Sequence, residues 1–152
     1  MTDPVTAGVV LAHAAATLYM VGLIWFVQVV HYPLFAAVPA DRFGDYARRH
    51  ADRTRWVVGP PMLVEGGTAV WLVWSRPPAV PGWVVWAGLA LAAVNWVSTA
   101  AVQIPCHTRL AHGFDPAVHR RLVFSNWVRT AAWSARGVLA VVVLLELLRR
   151  VP

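Results

Sequence analysis

The chain has no lysine, a single cysteine and few acidic residues, and each scarcity closes off a class of protein. Cys106 alone can form neither an intrachain disulfide nor a cysteine-rich metal cage. Charged residues make up 13% of the 152, about half the roughly 25% usual in soluble domains. With hydrophobic residues at 59%, a soluble fold of this length could not hide its apolar surface, whereas lipid solvates such side chains directly. The formal charge of +6 rests wholly on thirteen arginines. These flank apolar runs, which is the pattern of a membrane protein facing anionic lipid and not that of a nucleic-acid binder. No basic residue precedes the first apolar run and no small-residue cleavage site follows it, so it is expected to be a retained helix. No single stretch carries His-x-x-x-His or Glu-x-x-His, the spacings that place two metal ligands on one helical face.

What is present is four apolar stretches long enough to cross a bilayer, which takes about 20 residues: about 7–31, 56–75, 83–105 and 126–148. The expected fold is all-α, a four-transmembrane-helix bundle forming one integral membrane domain over residues 1–152. Residues 76–82, Arg-Pro-Pro-Ala-Val-Pro-Gly, make a tight turn, so spans two and three form an antiparallel hairpin. The other two connections, 41–55 and 115–124, are charged and begin with Asp41 and Asp115. They read as short interfacial helices capped by those aspartates. Their side of the bilayer carries Arg42, Arg48, Arg49, Arg53, Arg55, Arg109, Arg120 and Arg121, against Arg76, Arg149 and Arg150 on the other. The positive-inside rule then makes the long connections cytoplasmic and puts both termini outside, in a bacterial-type inner or plasma membrane. Trp71, Trp74, Trp83 and Trp86 mark the outer interface, and Trp56 and Trp127 the inner one.

A shift of 71 residues superposes Arg49 on Arg120, Thr54-Arg55-Trp56 on Ser125-Asn126-Trp127 and Glu65 on Arg136. With a small gap, Gln28-Val-Val-His31 falls near Gln103-Ile-Pro-Cys-His107. Such a duplication predicts Glu65 and Arg136 at similar depth, across an axis along the membrane normal. Glu65 lies roughly 13 Å into its span at 1.5 Å per residue, and Asn95 reaches that level on the third. Gly59-Pro60-Pro61 would kink the second span. Ionisable groups at this depth are costly, so the group reads either as a structural salt bridge or as the charged floor of a site. Polar stripes at helical spacing run along three spans: His13, Thr17, Ile24, Gln28 and His31; Asn95, Thr99, Gln103 and His107; Asn126, Arg129, Trp133 and Arg136. Gln28, His31, Gln103, His107, Asn126 and Arg129 are expected to converge near the cytoplasmic end.

His31 and His107, on different helices at one depth, could ligate a metal or hold a haem iron between them, with Glu65 and His50 as further ligands. Equally, one of them could act as an acid–base catalyst without a cofactor. The residues leave none, iron, copper and haem all open as cofactors. His112 and His119 read as solvated loop residues, His13 as a structural partner of Glu146, and Cys106 as a packing residue.

The run Thr99-Ala-Ala-Val-Gln103-Ile-Pro105-Cys-His107-Thr-Arg-Leu110, followed by Asn126-Trp127-Val-Arg129-Thr130, resembles the signature of the anthrone-oxygenase-like family of small four-helix membrane proteins. Pro33-Leu34 and Pro60-Pro61 resemble it too. The chain departs from that pattern in having His107 where the family usually has Asn, and in adding His31. The resemblance implies oxidation of a lipid-soluble or aromatic substrate by dioxygen without an added cofactor, through a carbanion that reduces O₂ itself. It would make His31 or His107 the base and let Asn126 and Arg129, with Trp133, bind the developing oxyanion. Glu65, Arg136, Asn95, Gln28 and Gln103 would line the pocket. Two other readings stand beside it: a non-catalytic module binding haem, metal or a lipophilic ligand, and a small transporter or proton relay. The expected partners are the bilayer and a small lipophilic substrate, with a homo-oligomer required if the chain transports.

Overall fold

The computed structural model describes residues 3–149. Helix α1 (Pro4–Phe26) starts where Asp3 accepts from the amides of Val5 and Thr6, both at 3.0 Å. The hydroxyl of Thr6 also donates to the Asp3 carboxylate and, with those amides, holds its pKa below the ordinary value. α1 runs into a widened π turn (Val27–His31), in which the Tyr32 amide reaches back to the Val27 carbonyl at 2.9 Å, and ends in a 3₁₀ turn (Pro33–Ala37). α2 (Ala40–Trp74) is one helix of 35 residues. α3 (Gly82–Ser98) passes through a second π turn (Thr99–Gln103) into α4 (Ile104–Leu110), and α5 (Pro116–Leu148) closes the bundle. Among the described residues there are four helical stretches long and apolar enough to cross a membrane, Pro4–Ala37, Ala40–Trp74, Gly82–Leu110 and Pro116–Leu148. The protein is an integral membrane protein with a four-helix bundle fold.

The residues expected to form interfacial helices are helical, but they continue unbroken into spans two and four as the first halves of α2 and α5. Asp115 caps α5 as expected, accepting from Ala117 N at 2.8 Å and Val118 N at 3.2 Å. Asp41 is not a cap. The Pro39 backbone starts α2 without any side-chain bond, and Asp41 sits within the first turn, where its charge faces the positive helix end. α2 stays helical through Pro60 and Pro61, which leave the carbonyls four residues earlier without their usual donors.

α1 packs on α2 and α5, and α3 on α5 and α2. The interior stacks in three layers along the bundle. Val10, Leu72, Val80, Val84, Val85 and Val143 fill the end near the α2–α3 turn. Met20, Ile24, Met62 and Trp133 fill the middle. Tyr32, Phe35, Phe43, Ala47, Cys106, Leu110, Val118 and Leu122 fill the arginine-rich end. Large apolar side chains also cover the outside, among them Leu11, Val29, Leu63, Val97, Val138 and Phe124, as lipid exposure requires. Trp74, Trp83 and Trp86 are exposed near one end, and Trp56 and Trp127 toward the other. Gly137 lets α1 and α5 approach closely: a Cβ there would lie 3.0 Å from Val21 Cγ2. Of the arginines counted for orientation, Arg150 lies outside the described residues.

Candidate functional site

The residues singled out by sequence fall into three connected groups. At the arginine-rich end, His31 leaves the π turn of α1, His50 projects from α2 and His107 from α4. His31 Nε2 lies 3.0 Å from His50 Nδ1, and the rings of His50 and His107 are 5.1 Å apart. A ring-to-ring N···N bond needs one N–H donor and one bare nitrogen, so at least one of the first two imidazoles is neutral and basic. His107 Nε2 lies 2.9 Å from the hydroxyl of buried Tyr32. Phe35, fully buried, is the apolar hub of the cluster, with its ring 5.3 Å from His31, 5.1 Å from His50 and 6.2 Å from His107. The three imidazoles are themselves half-buried, so the cluster sits at the border of the core, within reach of lipid or interface.

Behind it lies an amide–guanidinium chain. Asn126 Nδ2 donates to Gln28 Oε1 at 2.9 Å, Arg129 Nη1 donates to Asn126 Oδ1 at 3.0 Å, and Gln28 Nε2 donates to the Val123 carbonyl at 3.2 Å. Both ends of the Asn126 amide are therefore occupied, and it orients Arg129 instead of facing the imidazoles. The Arg129 guanidinium lies near the Tyr32 hydroxyl and His107 without bonding either. Gln103 does not join this chain: its Nε2 donates to Ser125 Oγ at 3.0 Å, tying the third span to the fourth.

The third group is at mid-bundle. Arg136 Nε donates to Glu65 Oε1 at 2.7 Å and Trp133 Nε1 donates to Glu65 Oε2 at 3.0 Å, while Arg136 Nη1 bonds the Gly88 carbonyl. The side chains of Glu65 and Arg136 are each 1% exposed. The two ionisable residues expected at one depth are thus paired, as the salt-bridge reading requires. Asn95 is buried nearby on α3, but neither of its amide atoms has a partner among the described residues. The Trp133 ring carries the Arg129 guanidinium 4.9 Å from its centroid, so this one side chain joins the ion pair to the chain above.

With both carboxylate oxygens committed, Glu65 is not a fourth member of the histidine cluster. No group of three or more His, Cys, Asp or Glu among the described residues is arranged to hold a metal ion. The cluster is a contacting His31–His50 pair, with His107 turned toward a phenol. His119 is not solvated: it is buried on α5, and its Nε2 bonds the Tyr32 carbonyl at 2.8 Å. His13 bonds Thr68 Oγ1 at 2.9 Å, and Glu146 pairs instead with Arg149 one turn along α5 at 2.8 Å. Sequence reasoning missed Tyr32, whose hydroxyl bonds His107 and whose carbonyl takes the His119 bond. The available signal was its place four residues after Gln28, just before a proline.

Fold and site together define an integral membrane four-helix protein threaded by a buried polar axis. No family model, curated protein or solved structure matches the chain.

Proposed function

We propose that the protein is a membrane oxidoreductase of the oxygenase kind, acting on a lipid-soluble aromatic substrate beside His31, His50 and His107. One observation carries this reading: imidazoles from three helices gather around a buried phenol at the edge of the apolar core, with the Arg129 guanidinium close behind. That arrangement supplies a base and a fixed positive charge next to lipid, which carbanion chemistry needs. An imidazole of the His31–His50 pair takes a proton from an activated methylene, and the carbanion adds O₂ to give a peroxide. Loss of the second methylene proton as the O–O bond breaks leaves a carbonyl and water, so one O₂ is consumed per substrate. Arg129, held by Asn126, stabilises the enolate oxygen as charge reaches it. Asn126 is thus a positioning residue, and Tyr32 orients His107. The resemblance to the anthrone-oxygenase-like family agrees with this reading. The arginine-rich face is assigned to the cytoplasm and both termini to the outside.

The test is oxygen uptake by purified protein in nanodiscs with an anthrone, against protein-free nanodiscs, with metal content measured on the same sample. Uptake that falls at least tenfold in His31→Gln and His107→Gln, in protein free of stoichiometric metal, is expected. Uptake no faster than in empty nanodiscs, or unchanged in both variants, refutes the proposal. Stoichiometric iron or copper lost with His31→Gln moves the site to the metal-binding reading.

A further inference from the structure

Away from the histidines, the arginine-rich end holds a cavity of about 210 Å³ between α4 and the start of α5, lined by Pro105, Cys106, Arg109, Val118 and Arg121. Its wall is apolar and its charge is one-sided, with Arg109 and Arg121 flanking the Cys106 thiol. Neither arginine is in an ion pair among the described residues, where Asp41, Asp45, Asp52, Glu65 and Glu146 pair with other arginines. The nearest acid in sequence, Asp115, spends its carboxylate on the α5 amides. Exposed apolar side chains flank the cavity: Ile104 precedes it on α4 and Phe124 follows it on α5, 57% and 81% exposed.

We infer that this cavity binds the phosphate of an anionic phospholipid, with its acyl chains lying along Ile104 and Phe124. Two guanidiniums offer the planar donor forks that match phosphate oxygens. A basic recess between helices at the headgroup level is the expected seat for such a lipid. At about 210 Å³ it is smaller than the roughly 300–1,000 Å³ of pockets that enclose drug-sized ligands. It therefore suits a headgroup better than a polycyclic substrate. Free phosphate shares the headgroup's chemistry but would gain nothing from the apolar flank.

The experiment uses the full chain in phosphatidylcholine nanodiscs, titrated with phosphatidylglycerol or with inorganic phosphate and read by native mass spectrometry and thermal midpoint. The arginine double variant R109Q/R121Q is compared with R49Q/R53Q, which removes the same charge from the same end. The first is expected to weaken phosphatidylglycerol binding roughly tenfold to thirtyfold, from about 1 kcal/mol per cation, with the second near wild type. Equal weakening by both doubles would reduce the effect to the diffuse field of the basic face and overturn the site. Inorganic phosphate binding as tightly as the lipid would overturn the lipid assignment.

Discussion

Neutralising Glu65 puts the packed interior to its hardest test. In Glu65→Gln the amide oxygen still accepts from Trp133 Nε1, now 3.0 Å from Glu65 Oε2, and the side-chain volume barely changes. What disappears is the charge 2.7 Å from Arg136 Nε. The guanidinium keeps its bond to the Gly88 carbonyl but is left as a buried, uncompensated cation. Removing one partner of a buried pair costs roughly 3–5 kcal/mol, against a total stability of about 5–15 kcal/mol for a typical domain. Arg136→Met strands the carboxylate in the same way. The double variant E65Q/R136M removes both charges while sparing the Trp133 bond, and so should recover most of the loss. With singles of at least about 3 kcal/mol and a double of about 1 kcal/mol, a double-mutant cycle should give a coupling of about 5 kcal/mol or more, far above the roughly 0.5 kcal/mol within which independent sites add. Reversible unfolding in mixed micelles, followed by tryptophan fluorescence, measures all four proteins. Single losses under about 1 kcal/mol that simply sum in the double would refute the view that this pair holds α2 to α5. A stable double that consumes oxygen at the wild-type rate assigns the pair to structure; a stable double that does not assigns it to the chemistry.

Gly137→Val sets a branched side chain against Val21, whose Cγ2 would already lie 3.0 Å from a Cβ. It should destabilise the α1–α5 contact by about 1–3 kcal/mol, read in the same unfolding assay, with Gly8→Val, which meets open space, close to neutral. Tyr32→Phe strips the hydroxyl 2.9 Å from His107 and should cost about 1–3 kcal/mol together with most of the oxygen uptake; full activity would remove Tyr32 from the site. Asp115→Ala should cost about 1 kcal/mol through loss of the α5 cap, with Asp115→Asn recovering most of it, by thermal denaturation. Orientation is checked in a Cys106→Ala background: an impermeant maleimide should label Ser75→Cys in intact cells and His112→Cys after lysis, and the reverse pattern inverts the topology.

Depth and period made part of this arrangement legible in the sequence. Depth along their spans set Glu65 level with Arg136, and the ion pair joins them. Stripes at helical spacing identified which faces turn inward, and Gln28, Asn126, Arg129 and Trp133 are all buried as that spacing requires. Periodicity names a face but no partner, however. Asn126 lies on the expected face, yet both its bonds run along the bundle interior, away from the histidines.

Two local features defeated the reading for physical reasons. A π turn carries about one residue more than an α turn and rotates everything after it relative to α spacing. Past Gln28 the wider turn carries His31 out to the border, while Tyr32, four residues after Gln28, stays buried beside it. The third span repeats the device at Thr99–Gln103, just before His107. Each π turn is followed within two residues by a proline, which has no amide to close an ordinary turn. His119 was obscured by charge. The segment that carries it looks like solvated surface, yet continuity with α5 puts its ring on the Tyr32 carbonyl, while His50, a candidate from the outset, meets His31. The site thus depends on irregular turns in two spans and uninterrupted helix in the other two. Replacing Pro33 with Ala should relax the first irregularity, withdraw Tyr32 from His107 and lower oxygen uptake with the bundle still folded; unchanged uptake together with an unchanged fold would show that the π turn does not position the site.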